Sequence, residues 1–470
     1  MNESIILTQQ HFTGCASLAA LGVQLKYLDL FGPIQEAVLI AQKTVKYSSS
    51  DKLYDAFISL LAGAHGLVEI NSRLRSDPAL QRAFGRSGCA EQSAVQRTLN
   101  ACTAENVTQM EQAMNRIYRQ HSQGYRHDYR AALQVLDVDM SGMPCGKKAA
   151  FATKGYFANQ RNRRGRQLGR VVASRYQDIV VDRLFDGKTQ LTTALQPLVQ
   201  AAESTLELDT AKRSRTLVRI DAGGGSLDDV NWLLTRGYHL HCKDYSASRA
   251  QRLAQSVQTW VDDSQVEGRQ VGWVSLPAPE YVRPIRRLAV RCRKANGQWG
   301  IGVLISTLAT SEVLALTQVP TDFDPDPAAV MLAYVSLYDQ RGGGVETSFK
   351  GDKQGLGIGK RSKRRFEAQQ MVMLLGSLTH NVVEWSRSWL APSPSKLQHY
   401  GTLRMVRDVF HVSGFLVMNT PGQVVQIVLN QAAPLAPPLV DSLRELLAPA
   451  HIAIQLGQME VPAPLAASCR

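Results

Sequence analysis

The sequence predicts an α/β protein: a mixed-sheet core, a β-rich insertion, an all-helical N-terminal region and a small α+β C-terminal region. Three observations predict it. Apolar residues recur at helical spacing through the first 130 positions. Strand-like runs follow, first with short connections and then separated by a helical segment. A second block of strand runs between 265 and 320 interrupts that pattern before a long amphipathic helix.

Composition sets the limits. The chain has 470 residues, 53 Lys+Arg against 40 Asp+Glu, a net charge of +13, and 44% hydrophobic residues. A chain of this length divides into several domains and buries a large core, which excludes wholesale disorder. The positive balance points to a polyanionic partner. No apolar run reaches the roughly 18 residues a membrane helix needs, and the start, MNESIILTQQHF, is unlike a secretory signal. Seven cysteines without a CxxC pair fit reduced thiols in a cytoplasmic protein. No HExxH motif occurs among the histidines, and His239 and His241 read as flanking a strand.

Taken in order, Leu53–Leu67 and Val107–Tyr118 have helical periodicity. Ser87–Leu99 reads as a turn and a short polar helix presenting Gln92, Gln96 and Arg97, the pattern of a recognition helix. LQVLDVDM (133–140) alternates as a strand and puts Asp137 and Asp139 on one face. Residues 147–170 carry eight Lys and Arg and no acid, with Tyr156 and Phe157 among them. LGRVVASRY (168–176) and DIVVDRLF (178–185) complete an antiparallel meander. Leu191–Leu206 is helical, and TLVRID (216–221) is a strand ending in Asp221. Ser226 caps a helix that Gly237 stops, and YHLHCKD (238–244) is a parallel partner strand. Asp221 thus stands at a carboxyl end, where open α/β sheets place their sites.

VGWVSL, RRLAVRC and GIGVLIST form the insertion, with Asn296-Gly297 as a hairpin turn. TDFDPDPA (321–328) closes it. Helix is expected from Ala328 to Tyr338 and from about Glu346 to Gln354, broken by GLGIG (355–359), then again to Leu390 after the basic cluster 360–365. APSPS (391–395) is a linker, and two strands and a helix (Pro438–Leu447) end the chain. The resulting regions are 1–130, helical; 131–262, the first part of the core; 263–326, the insertion; 327–390, the second part of the core; and 396–470, a small α+β region.

Asp139, Asp221 and Glu346 are candidates to converge at one edge of the sheet. Carboxylates of that kind suit Mg²⁺, with Mn²⁺ as a substitute, and two such ions would clamp an in-line displacement at phosphorus. Glu346 and Lys353 are two helical turns apart and share a face, while Arg341 can fork onto a phosphate. The competing reading is an ordinary exposed helix with Glu346 paired to Lys350.

The run Tyr338, Arg341, Glu346, Lys353 resembles the signature of bacterial insertion-sequence DDE transposases, the Y-R-E-K branch with a β-strand insertion before the last acid. LDVDMSG (136–142) resembles that family's first-Asp strand, which favours Asp139, followed by Ser141, over Asp137. LVRIDAGGGSLDDVNWLLTRGYHL (217–240) resembles its second-Asp strand and helix, and RLRSDPALQRAFG (73–85) with SAVQRTL (93–99) its helical N-terminal region. The likeness spans about 55–390.

The resemblance implies a ribonuclease H-like core of order β-β-β-α-β-α-β-α. Asp139, Asp221 and Glu346 would hold metal, and Tyr338, Arg341 and Lys353 would contact the DNA end. It implies a homodimer that nicks double-stranded DNA at terminal inverted repeats and joins the 3′-hydroxyl ends to target DNA, in a cytoplasmic, nucleoid-associated setting without membrane. Arg163, Arg164 and Arg166 would track the backbone, with Arg283 and Arg287 in the insertion, where either Trp273 or Trp299 would stack on a base turned out of the duplex. One departure stands out. Four residues, Gly342 to Val345, separate Arg341 from Glu346, where the family usually has three. Triple glycine is a poor lead into a helix. It reads either as a flexible phosphate-facing turn or as the mark of a decayed copy, which would leave a catalytically inactive, domesticated DNA-binding protein.

Overall fold

The structure, a computed structural model, describes residues 8–43, 46–157, 160, 162–320, 326–390, 397–420 and 422–458. Arg161, residues 321–325, the 391–395 linker and Cys469 lie outside the described residues. The strands, in chain order, are β1 (Thr8–Thr13), β2 (Gln134–Pro144), β3 (Thr153–Lys154), β4 (Arg164–Ala173), β5 (Asp178–Asp186), β6 (Thr216–Ile220), β7 (His239–Lys243), β8 (Val261–Asp262), β9 (Arg269–Trp273), β10 (Arg286–Arg293), β11 (Trp299–Ser306), β12 (Gly414–Asn419), β13 (Val424–Asn430) and β14 (Ala453–Gly457). The chain divides into two units, one of residues 1–117, 351–361 and 367–470, the other of 118–350 and 362–366.

In the first unit a four-stranded sheet runs β1-β12-β13-β14. The N-terminal and C-terminal segments, expected as separate regions, therefore share one sheet: β1 pairs antiparallel with β12, Thr8 level with Asn419. The expectation of an all-helical N-terminus missed β1 because TQQHFT is polar and its first five residues are exposed, so it has no buried-face alternation to read. Helix Ala16–Tyr27 is buried along most of its length and packs on β12, β13 and helix Ala436–Leu447. Helix Ser49–Leu61 begins with a reciprocal cap: the Asp51 N–H donates to the Ser48 hydroxyl at 3.0 Å, and the Ser48 N–H to the Asp51 carboxylate at 2.9 Å. The short polar helix expected after the turn is present as Gln92–Ala101, with Arg97 exposed.

The second unit is built on a ten-stranded sheet, order β3-β4-β2-β6-β7-β11-β10-β9-β8, with β5 also on β4. The β2–β4–β5 meander is antiparallel, and β2, β6 and β7 are parallel neighbours. Helix Leu191–Leu206 leads from β5 toward β6 and helix Leu227–Thr235 from β6 to β7, the second capped by the Ser226 side chain and followed by Gly237 at φ 93°. The insertion is not a separate sheet. β11 pairs with β7, Leu304 level with Lys243, so β8–β11 prolong the core sheet. The core on one face joins Leu217, Val271, Leu288 and Leu304 to Tyr334, Val335 and Leu337 of helix Pro327–Arg341. On the other face, Ala250 and Leu253 of helix Ala247–Ala254 pack on Ala289 and Val303.

Two cross-strand ion pairs are buried in this unit. Arg219 on β6 stands level with Asp137 on β2 and grips both its oxygens, at 2.6 and 2.8 Å. Arg170 on β4 does the same to Asp182 on β5, at 2.7 Å twice. Among the described residues, no helix is long and apolar enough to cross a membrane.

Candidate active site

Val138 of β2 is level with Ile220 of β6, so Asp139 and Asp221 each come one residue further along adjacent parallel strands. Asp221 is fixed where it leaves β6, its side chain accepting the Gly223 N–H at 2.8 Å. Asp137, two residues earlier on β2, faces a different environment. It is fully buried, gripped on both oxygens by Arg219, and its Oδ2 also accepts the Ser174 hydroxyl at 2.5 Å.

Glu346 reaches the same place by an unusual helix. Helix Pro327–Arg341 does not stop at the glycines; it passes through a π-helical turn, Gly342–Glu346, into helix Thr347–Gly355. The break expected at the triple glycine is therefore absent. The turn packs against β2 and β4. A π turn takes up one extra residue. Arg341 and Glu346, five apart, thus meet as residues four apart do in an α-helix: Nη1 of Arg341 donates to Oε1 of Glu346 at 3.0 Å. Glu346 pairs backward with Arg341 rather than forward with Lys350. Gly344 is required, because a Cβ there would lie 2.7 Å from Oδ2 of Asp137, whereas at Gly343 it would meet open space. Gly343→Ala should raise stability by about 0.5–1 kcal/mol through the loss of chain entropy in the unfolded state. Gly344→Ala should lower it. Urea midpoints of the two variants check both signs.

The Arg341 guanidinium, 3% exposed, bridges the site. Its Nη2 is 3.0 Å from Oδ2 of Asp139, an ion pair at an angle that makes no hydrogen bond, and its Nε has no partner. Burial pushes the Asp139 carboxyl up to about 6, with the charges of Asp221 and Glu346 adding to the rise and Arg341 opposing it. Tyr338, one turn before Arg341 and half-buried, feels the same charges, and its hydroxyl is pushed up to about 12, chiefly by burial. Lys353 is half-buried in helix Thr347–Gly355 and belongs to the first unit.

The donor set consists of hard oxygens that Mg²⁺ accepts. In this arrangement the guanidinium fills the space between Asp139 and Glu346. Among the described residues no three acidic, histidine or cysteine side chains stand close enough to enclose an ion.

A raised carboxyl pKa has a definite sign for stability. The folded value for Asp139, about 6, lies above the ordinary 3.8, so its contribution is fully present below about pH 4 and lost as the pH rises through 6. In EDTA, Asp139→Asn should therefore be more stable than the parent at pH 7.5, by at most about 3 kcal/mol, and equal to it near pH 4. Thermal unfolding at the two pH values tests this; a gap independent of pH contradicts it.

No protein-family model and no curated protein matches this sequence. Among solved structures it is similar to a piggyBac transposase synaptic complex with hairpin DNA, determined by cryo-electron microscopy. That match has a TM-score of 0.41 and 10% identity and covers 97% of this chain and 85% of that one. A likeness at this level carries no argument about the site, which is read from its own residues.

The predicted DNA-contacting arginines divide. Arg163 and Arg164 are exposed, alongside Lys147, Lys148 and Lys154. Arg166 is not available: it is 1% exposed, donates to the carbonyls of Ala150, Lys363 and Arg364, and lies over the Phe366 ring. Arg287 is also buried, bound to Glu280 and the carbonyls of Leu276 and Pro277. Arg283 is half-buried and donates to the Tyr238 carbonyl at 2.9 Å. Inside a folded strand or its turn, an arginine stem packs and its head seeks carbonyls, so a run of basic letters overstates a basic surface.

Of the two tryptophans, Trp273 packs edge-on against Tyr334 at 5.2 Å, within the core. Trp299 is 36% exposed, and the Arg291 guanidinium is sandwiched between its ring, at 4.6 Å, and that of Trp260, at 4.0 Å. Sequence reading missed this stack and missed Arg219. The signal for Arg219 was its place in the middle of an apolar run, LVRID, where a charge needs a buried partner.

Proposed function

We propose that this protein is a DDE-type DNA transposase with a ribonuclease H-like core. Asp139, Asp221 and Glu346 hold Mg²⁺ or Mn²⁺ and cut phosphodiester bonds at the ends of a DNA element. The observation that carries this reading is that Asp139 and Glu346, far apart in sequence, meet one arginine, with Asp221 on the adjacent parallel strand one residue beyond the position level with Val138. The order of elements supports it: a three-strand meander, then helix–strand–helix–strand. Bound metal would polarise the phosphate and orient and activate the attacking water or hydroxyl. The chain's own residues orient the DNA. Arg341 has unpartnered N–H groups for a phosphate oxygen, and Tyr338 beside it presents a neutral hydroxyl as a donor. Joining two ends to a target calls for two copies of the chain.

Arg163 and Arg164 supply the charge that follows the DNA backbone. Replacing both by Ala should lower the salt-dependence slope of DNA binding by nearly two, about 0.9 for each phosphate no longer neutralised. Arg287→Ala should instead cost stability and leave the slope unchanged. Fluorescence anisotropy over a salt series, with unfolding curves alongside, separates the two effects.

The functional test uses DNA carrying the sequences that flank the gene. With Mg²⁺ the protein should nick that DNA at a defined position, leave a 3′-hydroxyl, and join it to a second duplex. One observation favours a second reading, a DNA-binding descendant that no longer cuts: the guanidinium already occupies the space between Asp139 and Glu346. Tight, sequence-selective binding without nicking in either Mg²⁺ or Mn²⁺ would establish that reading and overturn the first.

A further inference from the structure

We infer that Arg341 and a divalent cation are alternative occupants of one position, and that the π turn at Gly342–Glu346 is the switch between them. The inference rests on the reading of Asp139, Asp221 and Glu346 as the metal-holding acids. Four observations carry it. The guanidinium contacts Asp139 and Glu346 at 3.0 Å each, so it sits where a cation bridging those carboxylates must sit. It is almost fully buried yet poorly hydrogen-bonded, with Nε and Nη2 lacking acceptors, so charge rather than a fitted hydrogen-bond network holds it. It is joined to Glu346 through Gly342, Gly343, Gly344 and the buried Val345, and three successive glycines are the backbone least resistant to rearrangement. A cavity of about 670 Å³, lined in part by Ser174, Arg175, Gln340, Gly343 and Gly344, lies beside that turn and gives it room.

The helix supplies two discrete states. In the π turn, Arg341 and Glu346 share a face. Relaxing the turn to α-helical spacing rotates Arg341 by about 100° relative to Glu346, which takes the guanidinium off the carboxylates. The first state neutralises the acids without metal. The second frees them for a metal and frees the arginine for a phosphate oxygen. A site whose metal-competent state is a minor one binds metal more weakly by that fraction, until something removes the competitor. Oxyanion binding by Arg341 would do so, coupling metal loading to the presence of DNA.

Mn²⁺ alone is the probe, with affinity measured by calorimetry and by the paramagnetic resonance of free Mn²⁺. Arg341→Gln should bind Mn²⁺ about tenfold or more tighter than the parent, within the usual range of coupling between sites. Without metal it should melt lower than the parent, because the carboxylates lose their counter-ion, and Mn²⁺ should raise its melting temperature more than the parent's. Arg341→Lys, which keeps one charge but cannot span both carboxylates, should bind with intermediate affinity and carries the test if the glutamine variant does not fold. Saturable binding of equal or weaker affinity in the variants overturns the inference and leaves the metal site standing. No saturable binding in parent or variants overturns the metal reading and the inference with it.

Discussion

Asp221→Asn should cut DNA at least about 10³-fold more slowly than the parent, a loss of about 4 kcal/mol of transition-state stabilisation, while binding the same DNA with unchanged affinity. Asp221 stands at the carboxyl end of β6 beside Asp139, half-exposed and tethered by the Gly223 N–H. Asn keeps that hydrogen bond and the shape of the turn, so the fold has no reason to fail. What it removes is the charge that a divalent cation needs. Asp139→Asn and Glu346→Gln should behave alike, and a double variant should lose little more than a single one, because groups that act as a unit are not additive. Nicking by Asp221→Asn at the parent's rate in Mg²⁺ would remove Asp221 from the site.

The largest stability effect should come from a residue that does no chemistry. Arg219→Met leaves the Asp137 carboxylate buried beside Ser174 without its partner and should destabilise the protein by about 3–5 kcal/mol. Arg219 also donates to the Leu337 carbonyl at 2.7 Å, tying β6 to helix Pro327–Arg341, so the variant should lose cleavage through disorder of that helix near Arg341. Changing both partners, Asp137→Leu with Arg219→Met, should recover much of the stability, because an apolar pair of similar size tolerates burial that a lone charge does not. Urea unfolding of the two single variants and the double variant measures this as a coupling energy.

These two effects show what the sequence made legible. The alternation in LDVDM placed Asp137 and Asp139 on one face, and the structure keeps them there, but alternation cannot say which of two acids meets an arginine on the next strand. That depends on the register of β2 with β6, a pairing between segments some 80 residues apart. The strand-to-helix order around Asp221 was readable because Ser226 and Gly237 carry local signals that act without tertiary context. Glu346 was readable by its neighbours, but the path to it was not. Three glycines argue against a helix locally, whereas the packing of the π turn on β2 and β4 is a tertiary contact that no local signal carries. The insertion strands were readable one by one, yet their fusion with the core sheet through β7 and β11 was a long-range fact. The arginines misled for a related reason: Arg164 and Arg166 are two residues apart on β4, and one is exposed while the other is buried under backbone carbonyls.

Three carboxylates separated by long stretches of sequence are proposed to hold the divalent metal. Replacing Mg²⁺ by Fe²⁺ and adding ascorbate in the presence of the flanking DNA generates radicals at the bound ion, which cut the polypeptide beside its ligands. Three cuts are expected, near residues 139, 221 and 346, all suppressed by excess Mg²⁺ and all lost in Asp221→Asn. Cuts at other positions that Mg²⁺ suppresses, or cuts that persist unchanged in Asp221→Asn, would contradict that proposal.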